Sequence, residues 1–226
     1  MNVPKSILVV GAHPDDCEFG AGGVSFEWAK LGCVVHFLVV TDGAKGSAGC
    51  QERPEDLVAV RRREQFESAR ILGVDRVHFL GFSDGELEYN ELLLKSLVQA
   101  VRSLRPQAVF THTPEHLDHR RFLATKDAGV NHRDHRVVGA ATLDAVYPYA
   151  RNPNSFQDIS SEPHKVEQVF LWGSRYGNTR FECPEGLQKK AEALACHRSQ
   201  FKADTDWESL IKAWGTSEEF ERVDTK

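Results

Sequence analysis

Five short apolar runs constrain this chain more than any other feature. They are ILVV at 7–10, VVHFLVV at 34–40, VHFL at 77–80, AVFT at 108–111 and VEQVFLW at 166–172. Each is continuous or nearly so, where a strand with one wet face would alternate. Strands apolar on both faces are strands covered on both faces. Between the runs, apolar residues fall at helical spacing. The spacing predicts helices over 21–31, 55–72 ending at Gly73, 92–104 stopped before Pro106, and 134–146, with later ones over 185–196 and 207–214. Strand–helix alternation of this kind implies a mostly parallel sheet between two helical layers. Ligands of such sheets bind beyond the carboxyl ends of the strands. The loops after the first, second and fourth runs are therefore where function is expected.

The chain has 226 residues, enough for one α/β domain over 1–226 with a sizeable core. A net charge of −5 argues against a general nucleic-acid or anionic-membrane binder. No apolar run approaches the ~18 residues of a membrane span. The first residues lead straight into a strand without a long apolar leader, so a cytoplasmic location is expected. Five cysteines, odd in number, widely spaced and without a CxxC, suggest neither a disulfide framework nor a cysteine zinc site. Cys17 beside the first loop could be a soft ligand or simply a small buried hydrophobe.

The first loop reads AHPDD, Ala12 to Asp16. Two adjacent carboxylates repel and lose hydration unless they stay wet or share a cation. Near the fourth strand stand His112, His116, Asp118, His119, His132, Asp134 and His135. Imidazole and carboxylate are good zinc ligands. His13 and Asp16 are three apart, as are His132 and His135, and at a helix start that spacing puts both side chains on one side. Two ligands from one loop and one from the other leave a fourth position open to water, the pattern of catalytic metal sites. The bland alternative is that such Asp residues cap helices and such histidines are solvated. It serves for any one residue better than for the whole set.

AHPDD followed by EFGAGG resembles the first signature of the PIG-L/LmbE-like zinc N-deacetylase family. His132-Arg133-Asp134-His135-Arg136 running into an apolar helix resembles its second, of form HxDHR. Supporting likenesses are Thr41-Asp42-Gly43, Arg61 to Glu64 leading to Ile71-Leu72-Gly73, Gly81 to Leu87, and His197-Arg198-Ser199-Gln200. The resemblance implies a three-layer, Rossmann-like α/β fold with a mostly parallel central sheet. It implies a hydrolase that removes the N-acetyl group from an N-acetylglucosamine-type sugar or conjugate. His13, Asp16 and His135 would bind one Zn²⁺ per chain, with Fe²⁺ or another divalent ion as the alternative. Asp15 would be the general base. His132, as a cationic imidazole, would stabilise the oxyanion. Arg61, Asp84 and, on weaker grounds, His197 would contact the sugar. The partner implied is a small amino sugar, with no nucleic acid or membrane, and homo-oligomer formation is left open. The competing readings are a metal-dependent amidase on a non-sugar N-acyl substrate and a non-catalytic sugar-binding relative.

The chain departs from the family pattern in one place. Residues 118–130, DHRRFLATKDAGV, read as a loop insertion, and they create a near-copy of the second signature, His116-Leu117-Asp118-His119-Arg120. The copy at His132–Arg136 is favoured because VVGAATL continues it as a helix. The glycines at 20, 22 and 23 are expected to allow close helix packing, since GxGxxG is absent at the first turn. Of Arg61, Arg62 and Arg63, two are expected to be solvated. Trp207 and Trp214 share a helical face and are read as core or interface rather than as a substrate platform.

Overall fold

The structure, a computed structural model, describes residues 2–46, 53–119 and 128–225. In chain order the elements are β1 (Ser6–Gly11), α1 (Asp16–Lys30), β2 (Val34–Thr41), α2 (Pro54–Ile71), β3 (Arg76–Phe82), α3 (Glu91–Leu104), β4 (Ala108–His112), β5 (Leu117–Asp118), β6 (Gly129–Val130), α4 (Arg133–Asp144), β7 (Gln168–Trp172), β8 (Thr179–Glu182), α5 (Gly186–Leu194), α6 (Trp207–Trp214) and β9 (Ser217–Asp224). Seven strands form one sheet in the order β3-β2-β1-β4-β7-β9-β8. The five apolar runs are its parallel part, while β9 pairs antiparallel with β7 and β8 with β9.

Alternate residues of each strand feed opposite faces. Leu8, Val10, Val109 and Val169 pack on α3 and α4, while Ile7, Val9, Phe110 and Phe170 pack on α1 and α5. In β1, β2, β4 and β7 burial on both faces is why the runs lack alternation, while β3, at the sheet edge, is half-buried. The last two strands were not foreseen. SEEFERVD in β9 carries four acidic residues, and Glu218 points inward. It accepts Gly23 N and Val24 N and pairs with Lys190 at 2.8 Å. An inward charge with full partners is stable there, yet it hides the strand's apolar face in the sequence.

One helix both begins and bends where the sequence did not suggest it. Helix α1 starts at Asp16, five residues before the expected start, and carries a non-helical residue at Ala21. Its glycines do permit close approach. A Cβ on Gly20 would stand 2.4 Å from the Trp172 ring, and one on Gly23 would stand 3.0 Å from the Glu218 carboxylate. The strand order reverses between β1 and β4, whose neighbours continue to opposite sides. At such a switch point the two following loops diverge and leave a crevice.

Candidate active site

The crevice beyond β1 and β4 opens into a cavity of about 980 Å³. Seven of the eight candidate residues line it: His13, Asp15, Asp16, Arg61, Asp84, His132 and His135. The eighth, His197, does not. It is fully buried behind the cavity, with Nε2 3.7 Å from Glu18 Oε1, so the geometry gives a substrate no access to it. Cys17 is fully buried too, and its thiol points back to the Val9 carbonyl, away from the cluster. Of the three arginines, Arg61 is buried, and Arg62 and Arg63 are exposed.

Asp16 occupies the first turn of α1 and joins the two halves of the cluster. Its Oδ2 accepts His13 N at 2.7 Å and lies 3.2 Å from His13 Nδ1, while its Oδ1 lies 3.2 Å from His135 Nε2. Donor atoms on a single zinc-sized ion, each at ~2.0–2.1 Å, stand about 3.3 Å apart. The donor atoms of His13, His132 and His135 lie within 4.8 Å of one another. So do those of Asp16, His112 and His135, and those of His13, Asp84 and Asp134. Asp134 Oδ1 and His135 Nδ1 are buried without a partner. Three buried carboxylates among four imidazoles make a donor set suited to a divalent cation.

The electrostatics agree. Burial lowers the affinity of the His13 ring for a proton, but hydrogen bonds to Asp134, Asp16 and Asp84 outweigh it and hold the pKa well above the ordinary value. A ring so surrounded by carboxylates attracts positive charge, from a proton or from a metal. Burial pushes Asp84 up, but its bond to His13 and that from Lys45 N bring it down to about 2. His132 behaves otherwise. Burial, with His13 and His135 nearby, lowers its pKa, and its Nδ1 accepts Asp134 N at 3.1 Å as the N-cap of α4. A nitrogen that accepts is unprotonated, so the proton sits on Nε2 and the ring is a neutral donor. This corrects the expectation of a cationic imidazole.

Asp15 has a different setting from its neighbour. Its φ of 107° lies in the left-handed region, which a non-glycine residue occupies only under constraint. Arg61 Nη2 donates to Pro14 O at 2.6 Å and to Asp15 Oδ2 at 3.2 Å, and Nη1 donates to Gly43 O at 2.9 Å. Burial raises the pKa of the Asp15 carboxyl, and the Arg61 charge opposes it.

The reading by sequence missed two supporting residues, Gln65 and Trp172, and gave His112, named among the candidate ligands, no role of its own. Gln65 Oε1 accepts Asp15 N at 2.9 Å. Its amide orientation is fixed because Nε2 donates to the Glu18 carboxylate, which can only accept. His112 is fully buried between Trp172 and Asp16. Trp172 Nε1 donates to its Nδ1 at 3.0 Å. Ala12 N donates to its Nε2 at 3.2 Å, and Asp16 Oδ2 lies 3.3 Å from the same nitrogen. One signal for Gln65 was present: Arg61, Glu64, Gln65 and Ser68 form a polar stripe at helical spacing, and all four are buried.

With this geometry in place, comparison with known proteins identifies the family. Residues 8–146, more than half of the chain, match the family described as PIG-L, GlcNAc-PI de-N-acetylase. The chain belongs to this family. It is 31% identical over 210 residues to a diacetylchitobiose deacetylase of Thermococcus kodakarensis, covering 92% of this chain and 74% of that one. It is 28% identical over 209 residues to a 4-oxalmesaconate hydratase of Pseudomonas putida, covering 83% and 76%. The solved structure of N,N'-diacetylchitobiose deacetylase from Pyrococcus horikoshii, bound to an inhibitor, superposes with a TM-score of 0.83 at 28% identity. That match covers 98% of this chain and 84% of that one. A PIG-L member is thus an α/β protein with a mostly parallel sheet, as expected, and its metal-suited cluster lies at the carboxyl ends of the strands. Among the described residues, no helix is long and apolar enough to cross a membrane.

Proposed function

We propose that this protein is a metal-dependent N-deacetylase that hydrolyses the acetamido group of an N-acetylglucosamine-type sugar to acetate and a free amine. One observation carries the reading. Two adjacent carboxylates are turned to different tasks, Asp16 toward His13 and His135, and Asp15 toward Arg61 and the cavity. His13, Asp16 and His135 would hold the ion. Zn²⁺ suits this mixed nitrogen–oxygen set, and Fe²⁺ is the alternative. A bound divalent ion lowers the pKa of water to ~7 and polarises a carbonyl.

The chain's own groups supply the rest. Asp15 takes the proton from the attacking water, and its raised pKa brings it nearer to the working pH. Arg61 and Gln65 fix its carboxylate and backbone on the left-handed turn. His132, with its proton on Nε2, donates a hydrogen bond to the oxygen where negative charge grows, and the proton that Asp15 took from water passes to the departing nitrogen as the C–N bond breaks. Asp84, ionised and 3.1 Å from His13 Nε2, orients that ring and presents its edge to the cavity. Arg61 meets the substrate only along its cavity edge, because both of its terminal nitrogens already donate to protein oxygens.

One relative is named as a hydratase, which makes water addition the competing reading. The test therefore uses metal-analysed protein. Amine release is measured on N-acetylglucosamine and N,N'-diacetylchitobiose, and water addition on an unsaturated dicarboxylate. Amine release, with Asp15→Ala retaining metal but losing about 10³-fold or more of the rate, supports the proposal. Hydration without amine release overturns it, and so does undiminished amine release by Asp15→Ala.

A further inference from the structure

Helix α6 does not behave as its sequence suggested. Trp207, Leu210, Ile211 and Trp214 form the apolar stripe of a short amphipathic helix, yet no residue of α6 is buried. The stripe divides. Trp214 packs toward the core, with Lys190 Nζ 4.9 Å from its ring centroid. Trp207 and Leu210, at the other end, line the cavity. Trp207 meets Phe201 edge-on at 5.3 Å, and Phe201 meets Phe19 edge-on at 5.5 Å. Phe19 stands on α1 one turn after Asp16, so the aromatic series runs from the metal-suited cluster out along one side of the cavity.

We infer that this wall is a second-ring subsite: Phe19, Phe201, Trp207 and Leu210 receive a pyranose linked to the N-acetylated sugar, stacked by its C–H face. The inference rests on the N-deacetylase reading above. Three observations support it. A cavity of about 980 Å³ lies at the upper end of the ~300–1,000 Å³ typical of small-molecule pockets, so it has room for more than a monosaccharide. The wall is aromatic with a polar rim, where Lys202 and Thr205 also line the cavity. A pyranose has that same division, an apolar C–H face that meets the electron-rich face of an aromatic ring and an edge of hydroxyls. An alkyl chain would leave the rim unused. Finally, the family match ends at residue 146, and three of the four wall residues lie beyond it. The shared segment carries the chemistry, and the later helix sets which conjugate is accepted.

The test compares N-acetylglucosamine, N,N'-diacetylchitobiose and octyl N-acetylglucosaminide as substrates for the metal-loaded protein and its Trp207→Ala and Trp207→Phe variants. For wild type, kcat/KM on the disaccharide should exceed that on the monosaccharide by about tenfold or more. In Trp207→Ala the disaccharide should lose about tenfold through KM, with a fall of less than about threefold on the monosaccharide. Trp207→Phe should restore most of the loss. Equal losses on both sugars would make Trp207 structural and overturn the subsite, and a larger loss on the octyl glycoside would replace the second ring by an apolar tail. If no substrate is turned over, the N-deacetylase reading fails by itself. Tryptophan emission then decides the subsite: quenching by the disaccharide that disappears in Trp207→Phe upholds it, and no quenching in wild type overturns it.

Discussion

The two HxDH stretches of this chain, at His116–His119 and His132–His135, share their residue types and spacing and have opposite fates. In the second, His132 caps α4 and Asp134 and His135 lie in its first turn, so the side chains at 132 and 135 converge on His13, with ring centroids 4.8 and 5.2 Å away. In the first, Leu117 and Asp118 form β5, paired antiparallel with Gly129 and Val130 of β6. Extended backbone sends successive side chains to opposite sides. His116 is exposed there, His119 N donates to Gly173 O at 2.8 Å, and neither ring joins the cluster. A metal-ligand spacing has meaning only on the backbone that carries it, and the apolar VVGAATL after the second copy is what makes that backbone a helix.

The comparison can be broken or sharpened by substitution. The largest effect is expected for His135→Ala. Metal content measured after desalting should fall below about a tenth of wild type, and activity by about 100-fold or more. Retained metal with full activity would show that the second copy is not the ligand-bearing one. Next in size is Gly139→Ala. Its Cβ would stand 2.4 Å from His112 O, so α4 must move away from β4. A loss of about 2–3 kcal/mol in urea unfolding is expected, with weaker metal retention. Around the first copy the effects shrink. Gly173 has a φ of +78° and faces the Asp118 carboxylate, so Gly173→Ala should cost about 1–2 kcal/mol in stability and leave metal content unchanged. The smallest effect is expected for His119→Ala, with stability within about 0.5 kcal/mol of wild type and metal content equal to it. Loss of metal in this variant would make the two copies partners rather than a site and its echo.

A fifth measurement concerns the histidine that does not reach the cavity. Burial lowers the pKa of His197, but the Glu18 carboxylate beside it raises the balance above the ordinary value. A raised histidine contributes stability that is complete below about pH 6.5 and is lost as pH rises through the folded-state pKa. Thermal stability of wild type should therefore decline above neutrality more than that of His197→Gln. A parallel decline in both would remove His197 as the cause.

The parallel part of the sheet was legible because strands buried on both faces leave continuous apolar runs. β8 and β9 were not, since Glu218 is satisfied only by Lys190 and by two amides nearly two hundred residues away. The cavity-facing part of the site was legible because ligands and a base must be particular residue types. Its supports were harder to see. Gln65 and Trp172 act through contacts far apart in the chain, and nothing in their local spacing announces the Asp15 amide or the His112 ring. Along α6, Trp207 lines the cavity while Trp214 packs toward the core, a division the sequence could not show, because periodicity reports that a helix face is apolar and not what covers it.

The position of β9 between β7 and β8 has a consequence for how the chain is made. During synthesis β8 emerges with no strand to pair with, because its sheet neighbour follows it in the chain and is separated from it by α5 and α6. Until β9 arrives, the open edge of β7 and the orphan β8 are both exposed, and such edges are where nascent chains associate wrongly. The residues of the metal-suited cluster are all made well before that moment. On the ribosome, the vulnerable interval therefore belongs to closing the sheet and not to assembling the chemistry.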